Sequence, residues 1–170
     1  MIIIYYKIIL MKKIIEFCKN INKIDKNSYM NKLKNNPPKS NFITSQKGFI
    51  NAVDNWSKIL ALLTAKVPSC NERIIIIKNL FDEHGKGDIN NSHVNTFRYF
   101  LKSLGNTKKL DITSTYKSSE SISTFNNNLE EMIKNKNWLF CVASLGMIEF
   151  TYITVSNIIH NYASNYLNPN

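Results

Sequence analysis

NLFDEHGKGDINNSHVNTFRYFLKSLG, residues 79–105, decides how this chain folds. Upstream of it lies an apolar run, Ile74 to Ile77, continued by Leu80 and Phe81, at a spacing that predicts a helix stopping near Gly85. Gly85-x-Gly87 breaks that helix, because glycine adopts the left-handed backbone that ends a helix without a Cβ penalty. Asn91 or Ser92 can then cap a new helix through Val94, Phe97, Phe100, Leu101 and Leu104, ended by Gly105. Two antiparallel helices joined by so short a turn place Glu83, at the end of one, and His93, at the start of the next, where both can aim into one interhelical space. A carboxylate with a neutral imidazole is the donor chemistry of non-haem iron or manganese. By spacing alone, a plain helix end bearing acids and a histidine fits these residues as well.

Working outward, Phe49, Val53, Trp56, Ile59, Leu60 and Leu63 recur at i, i+3, i+4 intervals and predict a core-facing helix from Gly48 to Lys66, ended by Pro68. Ser69 or Asn71 can cap the helix that follows, with Glu72 in its first turn. Downstream of Gly105, a Thr/Ser/Lys-rich loop over 106–121 precedes a polar helix over about 122–136. A long apolar helix then runs from Trp138 to about Tyr166. No strand signal and no internal repeat emerge, so the expected class is an all-α bundle. Residues 48–170 are expected to form this helical domain, behind an N-terminal arm of residues 1–47 whose polar stretch 25–48, broken at Pro37–Pro38, reads as a linker.

The formal net charge of +10 is concentrated in that arm: residues 1–48 carry ten lysines against Glu16 and Asp25, a net +8. The arm has no arginine, and its aromatics do not alternate with basic residues as a stacking platform requires, so nucleic acid is not an expected partner. MIIIYYKIIL is too short to cross a bilayer and lacks a clear cleavage site; Met11 is an alternative start, and residues 1–24 could lie on a membrane surface. Cys18, Cys70 and Cys141 are odd in number and widely spaced, which excludes a CxxC zinc site and makes a reducing cytoplasm the expected location. They read as small buried apolar residues.

Residues 138–159 contain one charge, Glu149. The segment is long enough to span a bilayer, but Ser144, Gly146, Thr151, Tyr152, Thr154, Ser156 and Asn157 make it too polar for a strong insertion signal. The expectation is therefore a central helix of a soluble bundle, with no transmembrane span. An ionised Glu149 in such surroundings would cost several kcal/mol unless paired, protonated or bound to a cation. Asp54 poses the same problem more mildly: it lies about 200° around its helix from Trp56, at roughly 100° per residue, on a mixed face with Ile50, Ser57, Lys58 and Ala61.

The stretch from Asn79 to Gly105 resembles the iron-containing redox enzymes of the haem-oxygenase-like fold, in which a helix ends in Asn-Leu-x-Asp-Glu-x-Gly-x-Gly and a ligand histidine opens the next. Glu83 and His93 stand at those two ligand positions. VDNWSKILAL is similar to the family's first core helix, with Asp54 where glutamate is usual, and ASLGMIEFTY is similar to a later ligand helix, with Glu149 at its acid. The resemblance covers about residues 48–166. It implies a haem-oxygenase-like helical bundle holding non-haem iron, one ion or two, through Asp54, Glu83, His93 and Glu149. It also implies an oxidase or oxygenase that uses dioxygen on a small-molecule substrate such as an amino acid, an amine or a fatty-acid-like compound. Trp56, Phe97 and Tyr152 would line the pocket or simply pack the core.

In that family a further helix supplies the last ligands, and this chain ends at Asn170. The fold is therefore expected to be C-terminally truncated, with the iron site incomplete or lost. His160 follows Glu149 by eleven residues, about 16 Å along a helix axis, so it cannot share Glu149's metal. His84 reads as a solvent-facing helix-end residue. The alternative to an enzyme is an inactive helical scaffold acting as a binding module, whose exposed groove invites a partner helix or a homodimer. A metal-free relative that transforms a thiamine-like metabolite is disfavoured by the lack of a Cys-His constellation.

Overall fold

The computed structural model describes residues 16, 31, 33, 35, 39–104 and 119–166. The expectations for the N-terminal arm, for Cys18, for the start at Met11 and for Gly105 and most of the following loop lie outside the described residues. Among the described residues the chain is all-α, with five bounded helices and no strand: α1 Lys39–Lys66, α2 Cys70–Glu83, α3 His93–Leu104, α4 Glu120–Asn135 and α5 Trp138–Tyr166.

Helix α1 begins well before Gly48, where the sequence reading opened it, so residues 39–47 are helical and not linker. The reason is a stripe that composition hides. Phe42, Gln46 and Ile50 lie at successive i, i+4 positions and are all buried, so the packed face continues upstream of the obvious apolar run. Ile59, Leu60, Leu63 and Val67 carry the same buried face to the end of the helix.

The chain divides into two compact units, residues 39–142 and residues 1–38 with 143–170. In the first, α1 is the central element and packs against α2, α3 and α4. Helix α2 is capped as its sequence requires: Ser69 has extended backbone and its hydroxyl accepts from the Glu72 amide at 3.4 Å. The Glu72 carboxylate reaches back to that hydroxyl. Ser119 caps α4 in the same way, accepting from the Ile122 amide at 3.3 Å.

The far end of α4 is tied to α1. The Lys66 ammonium donates to the carbonyls of Ile133 and Lys134, which lack helical partners, and so places a cation at the negative end of the helix. Lys58 pairs with Glu130 at 2.8 Å, and Asn126 donates to the Asn51 carbonyl at 3.2 Å along the same contact.

Within residues 143–166 of the second unit, Leu145 and Tyr162 are buried. By length and composition α5 is apolar enough to cross a membrane, but only 11 % of its apolar window is buried. Leu139, Phe140 and Ile153 are well exposed. This is not the burial of a central bundle helix. The centre of the 39–142 unit belongs to α1, which packs against α2, α3 and α4 and buries Phe42, Ile50, Ile59, Leu60 and Leu63.

Candidate metal centre

The turn between α2 and α3 has an unusual backbone. Gly85, Lys86 and Gly87 all have positive φ, +64°, +57° and +92°. Gly85 permits a close approach as well as a left-handed bend: a Cβ there would lie 2.4 Å from the carbonyl carbon of Asn91 and 2.5 Å from the amide nitrogen of Ser92. The second arm of the turn therefore lies directly against the first. Asp88 stiffens that arm, its carboxylate accepting from the Asn90 amide at 3.0 Å and the Asn91 side chain at 2.7 Å. The Ser92 hydroxyl and the Asn95 amide group both donate to the Ile89 carbonyl at 2.7 Å. Buried Ser92 thus ends the turn in extended backbone and sets His93 as the first residue of α3.

This folding back brings the two residues singled out at the sequence level together. Oε2 of Glu83 lies 2.8 Å from Nδ1 of His93; the carboxylate side chain is 7 % exposed and the imidazole 55 %. With Nδ1–H donating to the carboxylate, the neutral ring keeps its lone pair on Nε2, the tautomer suited to metal binding or proton transfer. A shared cation needs the other tautomer, with the proton on Nε2 and the ion in place of the Nδ1 hydrogen, and the spacing suits it. Donors held at roughly 2.1 Å from one divalent ion and at right angles are about 3.0 Å apart, a few tenths of an ångström from the observed separation. As a two-donor set, the pair fits a first-row divalent metal.

The other sequence-predicted residues are placed as follows. Asp54 is exposed on α1. Glu149 is half-buried on α5, in the unit of residues 1–38 and 143–170. His84 is exposed and its Nδ1–H donates to the Leu80 carbonyl at 2.8 Å, capping α2 as a helix-end residue. His160 is exposed near the end of α5, 3.5 Å from the Ser164 hydroxyl. Among the described residues no three His, Cys, Asp or Glu side chains gather into a metal-binding group.

Trp56 and Phe97 are half-buried, with the Phe97 ring centroid 5.9 Å from that of Phe100; Tyr152 is exposed. Cys141 is buried, its thiol pushed above the ordinary range by desolvation, whereas Cys70 is exposed and is not the buried apolar residue expected of it. Sequence reasoning named Ser92 as a candidate cap but missed Asp88 and the close approach at Gly85. The Asp-x-Asn-Asn run was the available signal for the first of these, being the signature of a side-chain-stiffened turn. No family model, curated protein or solved structure matches the chain.

Proposed function

We propose that the Glu83–His93 pair is the anchoring element of a non-haem iron centre. On this reading the chain is an oxidative enzyme of the haem-oxygenase-like fold, acting on a small molecule such as an amino acid, an amine or a fatty-acid-like compound. One observation carries the reading: a nearly buried carboxylate 2.8 Å from a half-exposed imidazole, brought together by three consecutive left-handed residues. Glu83 and His93 would hold the metal, with Asp54 and Glu149 as the acids the resemblance assigns to it. When bound, reduced iron supplies dioxygen activation. Glu83 contributes negative charge in a water-poor position, where a cation is most strongly favoured. His93 contributes a nitrogen donor through Nδ1, next to the Glu83 oxygen that would share the ion.

A second reading has its own support. The same pair can act as a structural pin in a catalytically inactive scaffold that serves as a binding module. Among the described residues only two donors come together, and Ile74, Ile77 and Phe81 of α2 are exposed.

Anaerobic titration of the purified chain with ferrous ion separates the two, with Glu83→Gln and His93→Ala as controls. Stoichiometric uptake, lost in both variants while their helical circular dichroism is unchanged, is the expected result. A folded wild-type chain that takes up no iron, or one whose uptake both variants retain, overturns the iron reading and leaves the scaffold.

A further inference from the structure

Asp88 stands at the corner where the two arms of the α2–α3 turn meet. Its amide donates to the Gly85 carbonyl at 3.1 Å, and its carbonyl accepts from the Asn91 amide at 3.0 Å. The carboxylate reinforces the second arm. Oδ1 accepts from the Asn90 amide at 3.0 Å and the Asn90 side chain at 3.3 Å, and Oδ2 from the Asn91 side chain at 2.7 Å. Asn91 in turn lies so close to Gly85 that a Cβ there would fall 2.4 Å from its carbonyl carbon. Gly85, Asp88 and Asn91 therefore close a triangle. The next two residues along the chain are buried Ser92 and the candidate ligand His93.

Beyond the triangle, the Ile89 carbonyl ties the arm to α3. It accepts from the Ser92 amide at 3.3 Å, the Ser92 hydroxyl at 2.7 Å and the Asn95 side chain at 2.7 Å. Asn95 is itself held by the Arg98 guanidinium, which donates to its Oδ1 at 3.1 Å. These bonds join the arm to α3, but none of them joins it to α2. That link runs through the triangle, whose side-chain bond is the one between Asp88 and Asn91.

We propose that Asp88 is a positioning residue for His93: through Asn91 its carboxylate holds the second arm on Gly85 and keeps the imidazole beside Glu83. Each group that the carboxylate accepts from belongs to the arm itself, and an ionised acceptor makes these bonds stronger than a neutral one would. The Glu83–His93 contact has little slack. At 2.8 Å it lies within the hydrogen-bonded range, and a retreat of His93 by roughly 0.5 Å ends it. The assignment rests on the reading that Glu83 and His93 are the working pair. It concerns their apposition and not the identity of the ion they share.

The test reads the His93 ring in the full chain, isotope-labelled and free of metal. Long-range nitrogen–proton spectra in mildly alkaline buffer report which ring nitrogen carries the proton. The wild-type ring, identified by its loss in His93→Ala, is expected in the Nδ1–H form, and in the mixture of a free imidazole in Glu83→Ala. Asp88→Ala and Asn91→Ala should both move the ring toward the Glu83→Ala signature, with helical circular dichroism unchanged. Asp88→Asn should keep it near wild type, since its Oδ1 still accepts from Asn90 and its amide can donate to the Asn91 side chain turned over. Asn90→Ala, outside the triangle, should leave the ring as it is. Ferrous affinity, measured separately, should fall about tenfold in Asp88→Ala, the lower end for residues that orient a ligand, and recover in Asp88→Asn. A ring indifferent to Asp88→Ala, a ring disturbed as much by Asn90→Ala, or iron held by Asp88→Ala as tightly as by wild type overturns the proposal. A chain whose ring responds as expected but which takes up no iron overturns the iron reading alone and supports the positioning role.

Discussion

A double-mutant cycle on Glu83 and His93 measures what the candidate centre is worth to the fold without metal and what metal adds to it. A hydrogen bond to a charged group contributes about 1.5–3 kcal/mol when buried. Here one partner is nearly buried and the other 55 % exposed, so water screens the imidazole side. The expected coupling is therefore about 1 kcal/mol. Glu83→Ala also removes one methylene from a buried position, about 0.8 kcal/mol, and should cost roughly 2 kcal/mol in all. His93→Ala should cost about 1 kcal/mol, and the double variant should cost less than the sum by the coupling.

Urea unfolding followed by tryptophan fluorescence reads this cleanly, because Trp56 and Trp138 both lie in the 39–142 unit. At a slope of about 2 kcal/mol per molar, the coupling is about 0.5 M in midpoint. Measured with a chelator, the cycle gives the pin alone. Repeated anaerobically with ferrous ion at about 100-fold over its dissociation constant, the wild-type chain should gain about 2.7 kcal/mol and neither single variant should gain any. A coupling below about 0.3 kcal/mol in chelator, the level at which independent sites add, would refute the geometry from which both functional readings start.

Two further outcomes follow from the same unit. Gly85→Ala adds a Cβ 2.4 Å from backbone at a φ of +64°, so it should cost at least about 3 kcal/mol by thermal unfolding; a variant as stable as wild type would mean that the turn does not close on itself. Burial raises the Cys141 thiol pKa in the folded chain, so folding favours the protonated thiol. That contribution is present below the unfolded thiol pKa and is lost as pH rises through the higher folded value. Wild-type stability should therefore fall more steeply than that of Cys141→Ala on the alkaline side, and alkylation of the folded chain at neutral pH should label exposed Cys70 ahead of Cys141.

What was legible in the sequence, and what was not, divides along physical lines. Helix termini set by local chemistry were readable: Ser69 with Glu72, Pro68, the Gly85–Gly87 break and the start of α3 after Ser92 all stand as their residue types require. The N-terminus of α1 was not, because its first buried positions include Gln46, a polar residue that no hydrophobic period detects. The juxtaposition of Glu83 and His93 was readable because it is local, two residues bridged by one turn. Asp54 and Glu149 depend on long-range packing, which spacing along the chain cannot supply. The burial of α5 was misjudged for a related reason: an apolar helix looks the same in sequence whether its neighbours cover it or leave it bare.

The turn itself argues that the pair does more than fasten two helices. A left-handed conformation costs a non-glycine residue roughly 1–2 kcal/mol, and Lys86 holds it between two glycines that share it. Lys86 gains only a 3.8 Å contact with exposed Asp82, too weak to offset that cost. What the strained turn achieves is to bring His93 beside Glu83, a contact worth about 1 kcal/mol because half of the imidazole is in water, which does not offset the upper part of that cost. Strain that stability does not repay is usually kept for a ligand or a reaction. A cation held by both side chains would supply the missing free energy. Ferrous uptake tests this: iron taken up by the wild-type chain and lost in Glu83→Gln places the gain in the metal, and a folded chain that takes up none leaves the strain without that source.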